Sequence, residues 1–269
     1  MALTALQMGG TNTADIQQKL EQAAILDADQ AVALAPMLAF AHLARGVVLG
    51  HGLFNLQSKL DEMGKAEALS PGSATIAADV SSSELALGHV DRALDAARRA
   101  TQLDPLGPDE WGQLAKTLLV SHRYDEASAA LDHERSVLGT LPERHMVLRA
   151  FVRLLQGRPA DARALCAADK SWRETEILAL ADHDLGRQEA AERDLAKLRA
   201  ELQDGGAFNY AEIYAEWGQK SEALHWLEEA LRLRDSGLYD IVLDPFLDSI
   251  RNEPRFKDVV RRLMISDSP

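Results

Sequence analysis

Eight histidines and one cysteine are the residues best suited to hold a metal ion or to attack a carbonyl. Their spacing serves neither purpose. His42, His51, His89, His122, His133, His145, His183 and His225 are dispersed, with no HExxH and no i, i+4 pair that would set two imidazoles on one helix face. A metal site assembled across helices stays open at this stage. Cys166 is alone, so neither a disulfide nor a thiolate cluster can form within the chain. Its surroundings, Arg163-Ala-Leu-Cys-Ala-Ala168, read as a helix with a small core residue rather than a nucleophile. No GxxxxGK[ST] loop and no strand–GxGxxG–helix unit is present to cradle a phosphate. Pro71-Gly-Ser73 lacks the frame and the preceding strand of a nucleophile elbow. Carboxylates are plentiful, but no pair is marked out as acid and base. The expectation is a chain that is not an enzyme, with no cofactor and no metal.

Charge and composition narrow the partners. The formal net charge of −13 argues against nucleic acid, whose phosphates require clustered Lys and Arg; Arg261-Arg262 is too short a patch to reverse this. MALTALQMGG at the start lacks a basic region followed by a long apolar run, so it does not read as a signal peptide. No stretch reaches the ~18–20 apolar residues of a membrane span. A cytoplasmic location and no membrane partner are expected, with the periplasm open if the chain belongs to a longer anchored protein. With 46% hydrophobic, 26% charged and 5% aromatic residues, the chain can build a packed core. Its abundance of Ala and Leu favours helices.

The elements that must position any functional residue come from an internal repeat. AVALAP, AEALSP and RATQLDP end at Pro36, Pro71 and Pro105, successive steps of 35 and 34 residues. Each proline follows an alanine-rich helix that it cannot continue. A second signal recurs mid-repeat: Gly88-His-Val-Asp-Arg-Ala93, His122-Arg-Tyr-Asp-Glu-Ala127, Gly157-Arg-Pro-Ala-Asp-Ala162, Gly186-Arg-Gln-Glu-Ala-Ala191 and Gly218-Gln-Lys-Ser-Glu-Ala223. Glycine allows φ > 0 where one helix ends, the acid or serine suits the next helix start, and the alanine permits close approach. Each unit therefore reads as helix, tight turn, helix.

This pattern resembles the tetratricopeptide repeat (TPR). Trp111, Leu114, Ala115, Ala127 and Leu131 stand at family positions in the third unit. Tyr210, Ala211, Tyr214, Gly218, Ala223, Leu227 and Ala230 do so in the last. Three places depart from it: an extra residue around Phe54-Asn55, a shortened unit from Trp172 to about Arg199, and a Thr140–Pro142 junction without Asp-Pro. The resemblance implies an all-α, right-handed α-solenoid over residues 1–269. Residues 1–36 would form a degenerate helix pair, 37–236 about six units, and 237–269 a C-terminal cap. Gln203-Asp-Gly-Gly206 is the expected flexible point. The stretch Asp244-Pro-Phe-Leu-Asp-Ser-Ile-Arg-Asn-Glu-Pro-Arg-Phe256 is similar to the tail of TPR regions in bacterial signalling proteins, where the array follows a winged-helix regulator, a class III cyclase or a kinase-like module. No such module is legible here, which leaves a stand-alone array or part of a longer protein. Phe246, Leu247, Ile250 and Phe256 are expected to cover the last open helix face.

In the TPR pattern the inner face comes from one stripe of each first helix. Here the stripe reads Phe40, Leu43 and Val47; Thr75 and Ser82; Asp109 and Lys116; Arg144, Val147 and Phe151; Arg173, Glu176, Leu180 and His183; and Phe208 and Glu212. Apolar patches separated by Arg144 and Arg173 suit an extended peptide or amphipathic helix whose acid pairs with arginine. The asparagines with which chaperone-binding TPRs clamp a terminal carboxylate are absent from it. Trp111, Trp217 and Trp226 read as packing, whereas Trp172 keeps a ligand role open. The expected function is a scaffold binding a protein segment in its concave groove. The alternative is a sensory C-terminal region of a transcription regulator or nucleotide cyclase. Self-association through open solenoid ends is a further expectation.

Overall fold

The computed structural model of the chain describes residues 14–52, 54–166 and 171–265. Among these there are helices and turns and no strand. One helix, α1 (Ala14–Leu34), precedes six helix pairs: α2 (Ala39–Val47) with α3 (Leu56–Leu69), α4 (Ala74–Ala86) with α5 (Val90–Leu103), α6 (Pro108–Val120) with α7 (Tyr124–Leu138), α8 (Glu143–Leu155) with α9 (Pro159–Leu165), α10 (Trp172–Asp184) with α11 (Gln188–Leu202), and α12 (Ala207–Glu216) with α13 (Lys220–Leu233). A last helix, α14, spans Pro254–Ile265. Each pair packs on itself and on the next, as the expected helical-hairpin solenoid requires.

The turn inside each pair repeats one backbone solution. Gly88, His122, Gly157, Gly186 and Gly218 all take φ between +57° and +79°, where a residue without Cβ is unstrained. His122 adopts it as a side-chain-bearing residue, its Nδ1 lying 2.8 Å from the Tyr124 hydroxyl. The alanine five residues on is 0% exposed in every case: Ala93, Ala127, Ala162, Ala191 and Ala223. Any larger side chain there would push the two helices apart.

The seams between pairs follow the same economy. Asp104 ends α5, and its carboxylate accepts the Leu106 N–H at 3.1 Å. Pro108 then opens α6, where its missing N–H costs nothing. Trp111 staples this seam: its indole Nε1 donates to the Pro105 carbonyl at 2.9 Å, and its ring lies 4.0 Å from that of His133. Cys166 is buried, and desolvation pushes its thiol up to about 12. At pH 8 its alkylation by iodoacetamide should run at least about a hundredfold slower in the folded chain than in denaturant, because so little thiolate is present. Equal rates would mean that Cys166 is an accessible thiol.

The expected helix pair over residues 1–36 falls partly outside the described residues, and the described part holds α1. Two stretches differ from expectation in detail. The extra residue near Phe54 is absorbed by a π-helical turn, Val48–Gly52, and by Phe54 itself at φ +54°. The loop at 203–206 is a 3-10 turn tied by the Tyr210 hydroxyl, which donates to the Gln203 carbonyl at 2.7 Å.

The largest difference concerns the expected cap. α14 covers the second helix of the last pair through Phe256, Val259 and Leu263, each at most 3% exposed. Residues 236–250 pack on the last pair too, but they run on along the inner face of the solenoid instead of ending there. Arg234 takes φ +55°, and the Asp235 carboxylate accepts the Gly237 and Phe208 N–H groups at 2.9 and 3.1 Å. This bend turns the chain inward, and two short 3-10 turns, Ser236–Asp240 and Pro245–Leu247, carry it through the interior.

Candidate functional site

The inner face of the solenoid is the surface on which the sequence placed its groove. Much of that face is occupied. Its occupant is the inner segment, residues 236–250 of the same chain.

The segment meets nearly every unit. Lys59 Nζ of α3 donates to the Tyr239 hydroxyl at 2.5 Å, across 180 positions of sequence. That hydroxyl in turn donates to the Ser82 carbonyl of α4 at 3.1 Å. Lys116 of α6 pairs with Asp240 at 2.8 Å. Phe151 of α8 packs edge to face on Phe246, with centroids 5.3 Å apart. The Ser249 hydroxyl donates to the Ala215 carbonyl of α12 at 3.0 Å. Leu238, Ile241, Leu247 and Ile250 are at most 1% exposed. Burying that many large side chains contributes roughly 1.5–3 kcal/mol apiece, so the segment is part of the core.

Burial sets the electrostatics. Lys59 is 0% exposed, and Gly50 is bare because an added Cβ would lie 2.3 Å from the Lys59 side chain. Desolvation lowers the Lys59 amine to about 8, only partly offset by the attraction of Asp79 and Asp240. Glu176 of α10 and Glu212 of α12 face Asp244 of the segment, and burial raises all three carboxyls.

The sequence-predicted residues therefore divide. Lys116, Phe151 and Phe208 do line the inner face, but they meet the chain's own segment, with Glu212 beside Asp244 and Glu176 accepting from Asn209; Phe208 packs so closely on Gly237 that a Cβ there would lie 2.5 Å from its ring. Val147 and Leu180 are buried within the core, as is Leu43 of α2 beside half-buried Val47. Ser82 meets Tyr239 as described, whereas Thr75 is exposed at the start of α4. His183 stacks on Trp217 at 5.1 Å and 14°. Trp217 and Trp226 pack against the main core, as expected of them.

Four others of the set are exposed: Phe40, Asp109, Arg144 and Arg173. Phe40 is 54% exposed near the start of α2. Asp109 pairs with Arg144 rather than facing Lys116. Arg173 lies over the Trp172 ring at 4.2 Å. Glu143, Arg144, Val147, Ser171 and Arg173 border an open cleft of about 400 Å³. Sequence reasoning missed Lys59, which stands on a second helix, Asp79, which stands between Thr75 and Ser82 on α4, and Tyr239 and Asp240, which stand in the segment. The signal available was the density of apolar residues between Leu238 and Ile250, too high for an outer cap.

Among the described residues no group of His, Cys, Asp and Glu is placed to hold a metal ion, and no described helix is long and apolar enough to cross a membrane.

No protein-family model matches the sequence, and comparison with curated proteins finds no match. Solved structures do match. A tetratricopeptide repeat protein from Parabacteroides merdae is similar over 93% of this chain and 94% of its own, at 15% identity and a TM-score of 0.63. A chain of the APC/C hetero-tetramer Cut9–Hcn1 is similar over 91% of this chain and 46% of its own, at 15% identity and a TM-score of 0.63. The type IV pilus biogenesis factor PilW is similar over 79% of this chain and 97% of its own, at 15% identity and a TM-score of 0.55. The fold is that of the TPR helical-hairpin solenoid.

Proposed function

We propose that the chain is a non-enzymatic protein–protein interaction scaffold. Its binding surface for an extended peptide or amphipathic helix is the part of the inner face that its own segment leaves open, around Arg144 and Arg173. The observation that supports this most is the inner segment itself. These first helices already hold an irregular stretch of chain through an ion pair, an aromatic contact and buried apolar side chains. Continuing the stripe, Arg144 and Arg173 offer two guanidinium forks at a cleft, the geometry that suits a partner's carboxylate. Asp109 and Glu143 beside them would select against a purely acidic partner. Of the similar structures, one belongs to a hetero-tetramer and another is a pilus biogenesis factor, both settings of protein assembly.

The test is quantitative pull-down with the intact chain and with Arg144→Glu/Arg173→Glu, both checked for equal melting temperature. Both side chains are exposed, so folding should be spared. Recovery of specific partners should drop about tenfold or more, the worth of one or two charge-assisted hydrogen bonds. Undiminished recovery at equal stability would remove the cleft from the binding surface.

A second reading, a sensory region attached to a signalling domain, is supported by the tail from Asp244 to Phe256. Its aspartate accepts the Phe246 N–H at 2.8 Å and its Arg251 donates to the Asp244 carbonyl at 2.6 Å, so the motif residues build the inner bend. The length of the open reading frame tests it.

A further inference from the structure

We propose that a cavity at the ends of α8, α10 and α12 receives a lysine or arginine side chain of a partner protein, its apolar stem along the cavity walls and its cationic head between Asp184 and Glu216.

The cavity is built where three first helices stop together. α8 ends at Leu155, α10 at Asp184 and α12 at Glu216, and α10 packs on both of the others. Leu154, Leu155 and Leu180 supply apolar walls, and Phe246 of the inner segment completes them. Leu154, Leu180 and Phe246 are at most 7% exposed, so the core holds these walls in place. An added Cβ at Gly157, also on the lining, would meet nothing within 4 Å, which leaves that side open for entry. The space is about 220 Å³. That lies below the ~300–1,000 Å³ of a small-molecule site and suits one long side chain.

Charge identifies which side chain. Asp184 and Glu216 share the lining with the apolar walls. Among the described residues no cation pairs with Glu216, and Asp184 has only its chain neighbour His183, at 3.6 Å. The basic residues nearby are engaged elsewhere. Arg153 donates to the Gln156 side chain at 2.7 Å, Arg158 pairs with Asp161, and Arg187 lies 3.2 Å from Asp182. Lys220 pairs with Glu253 at 3.1 Å and Arg251 with Asp248 at 2.8 Å. Helix C-termini add partial negative charge through carbonyls that lack an intrahelical partner, and three of them meet here.

This negative field is unanswered within the chain. Desolvation, together with Asp184, Asp244 and Asp248, raises the Glu216 carboxyl to about 7. A cation set between the carboxylates would relieve that repulsion, whereas an acidic side chain would add to it. Lysine and arginine match both halves of the lining, because their stems bury along apolar surface while their heads stay charged. The inference rests on the scaffold reading for the nature of the occupant. It shares no lining residue with the Arg144–Arg173 cleft, so the two can fail separately.

An NMR titration of the full chain at pH 8, where Glu216 is mostly ionised, tests it. The probes are the blocked tripeptide alanyl-lysyl-alanine and its norleucine counterpart, which keeps the stem and lacks the charge. The lysine peptide should move the amide resonances of Gly157, Asp184 and Glu216. It should bind about tenfold or more tightly than the norleucine peptide, the worth of one or two charge-assisted hydrogen bonds. Asp184→Asn/Glu216→Gln should erase this preference, and both side chains are exposed, so folding should be spared. Glu216→Gln alone should reduce it and serves if the double variant does not fold. Arg144→Glu/Arg173→Glu should keep it in full, even if that variant loses its partners. No saturable lysine binding, equal binding of the two peptides, shifts centred on the Arg144–Arg173 cleft, or a preference that survives in the folded Asp184→Asn/Glu216→Gln chain would overturn the proposal.

Discussion

Phe246→Ala is expected to destabilise the chain by about 3–5 kcal/mol, the range for removing a buried phenylalanine ring. The ring is 5% exposed and meets Phe151 edge to face, a contact that adds to the burial term. Truncation leaves a void where the segment crosses α8, and backbone on both sides is tied by other bonds, so the site cannot simply collapse. Equilibrium urea unfolding measures this, with Phe40→Ala as the contrast: Phe40 is 54% exposed and its loss should cost no more than ~0.5 kcal/mol. A terminal cap predicts something different, namely a small penalty and fraying confined to α14. A cost below 1 kcal/mol for Phe246→Ala would mean that the segment is not docked inside.

Lys59→Met carries the second large effect, and its direction is opposite. The amine is fully buried and lowered from 10.5 to about 8 by desolvation. The folded chain therefore binds its proton less readily than the unfolded chain does. Stability from this group is lost as pH falls through about 8 and is recovered above the unfolded value of about 10.4. A methionine of similar length fills the same channel past Gly50 without that penalty. It should stabilise the chain by up to ~3 kcal/mol below pH 8, with the gain fading toward pH 10. The Tyr239 hydroxyl keeps the Ser82 carbonyl as acceptor, while buried Asp79 loses the attraction of the amine and takes up a proton more readily, which limits the gain. Thermal melts of both chains at pH 6, 8 and 10 check the prediction. A gain that is flat with pH would mean that the amine is not what the substitution relieves.

What the sequence made legible was everything that repeats. Ala93 and its four counterparts, and the left-handed turn five residues before each, announce a period because every unit solves the same local problem of close helix approach. The stripe from Lys116 to Glu212 was legible for the same reason, since inner positions recur at helical spacing. The inner segment was not. Its residues solve a problem posed only once, and Tyr239 meets Lys59 because of how all the units curve together, which no local pattern encodes. Asp244-Pro-Phe-Leu247 looks the same whether it closes an end or fills a middle; its two 3-10 turns have no amphipathic period to betray which face is buried. Lys116, Phe151 and Phe208 were thus legible as inner positions while their occupant was not, and the ion pair of Arg144 with Asp109 joins two units in a way no single repeat displays.

The contact between Lys59 and Tyr239 gives this array a fixed length. In an ordinary solenoid each unit touches only its neighbours, so units can be duplicated or lost with little consequence for the rest. Here one stretch of chain is measured against the whole stack, reaching its first pair and its last. Inserting or deleting a pair would shift Lys59, Lys116 and Phe151 relative to Tyr239, Asp240 and Phe246 by one unit's rise and rotation, and no single sliding of the segment could restore all three. Such a chain cannot grow by tandem duplication. It must change its count and its tail together, and during synthesis its earliest pairs wait for the last residues before their inside is filled.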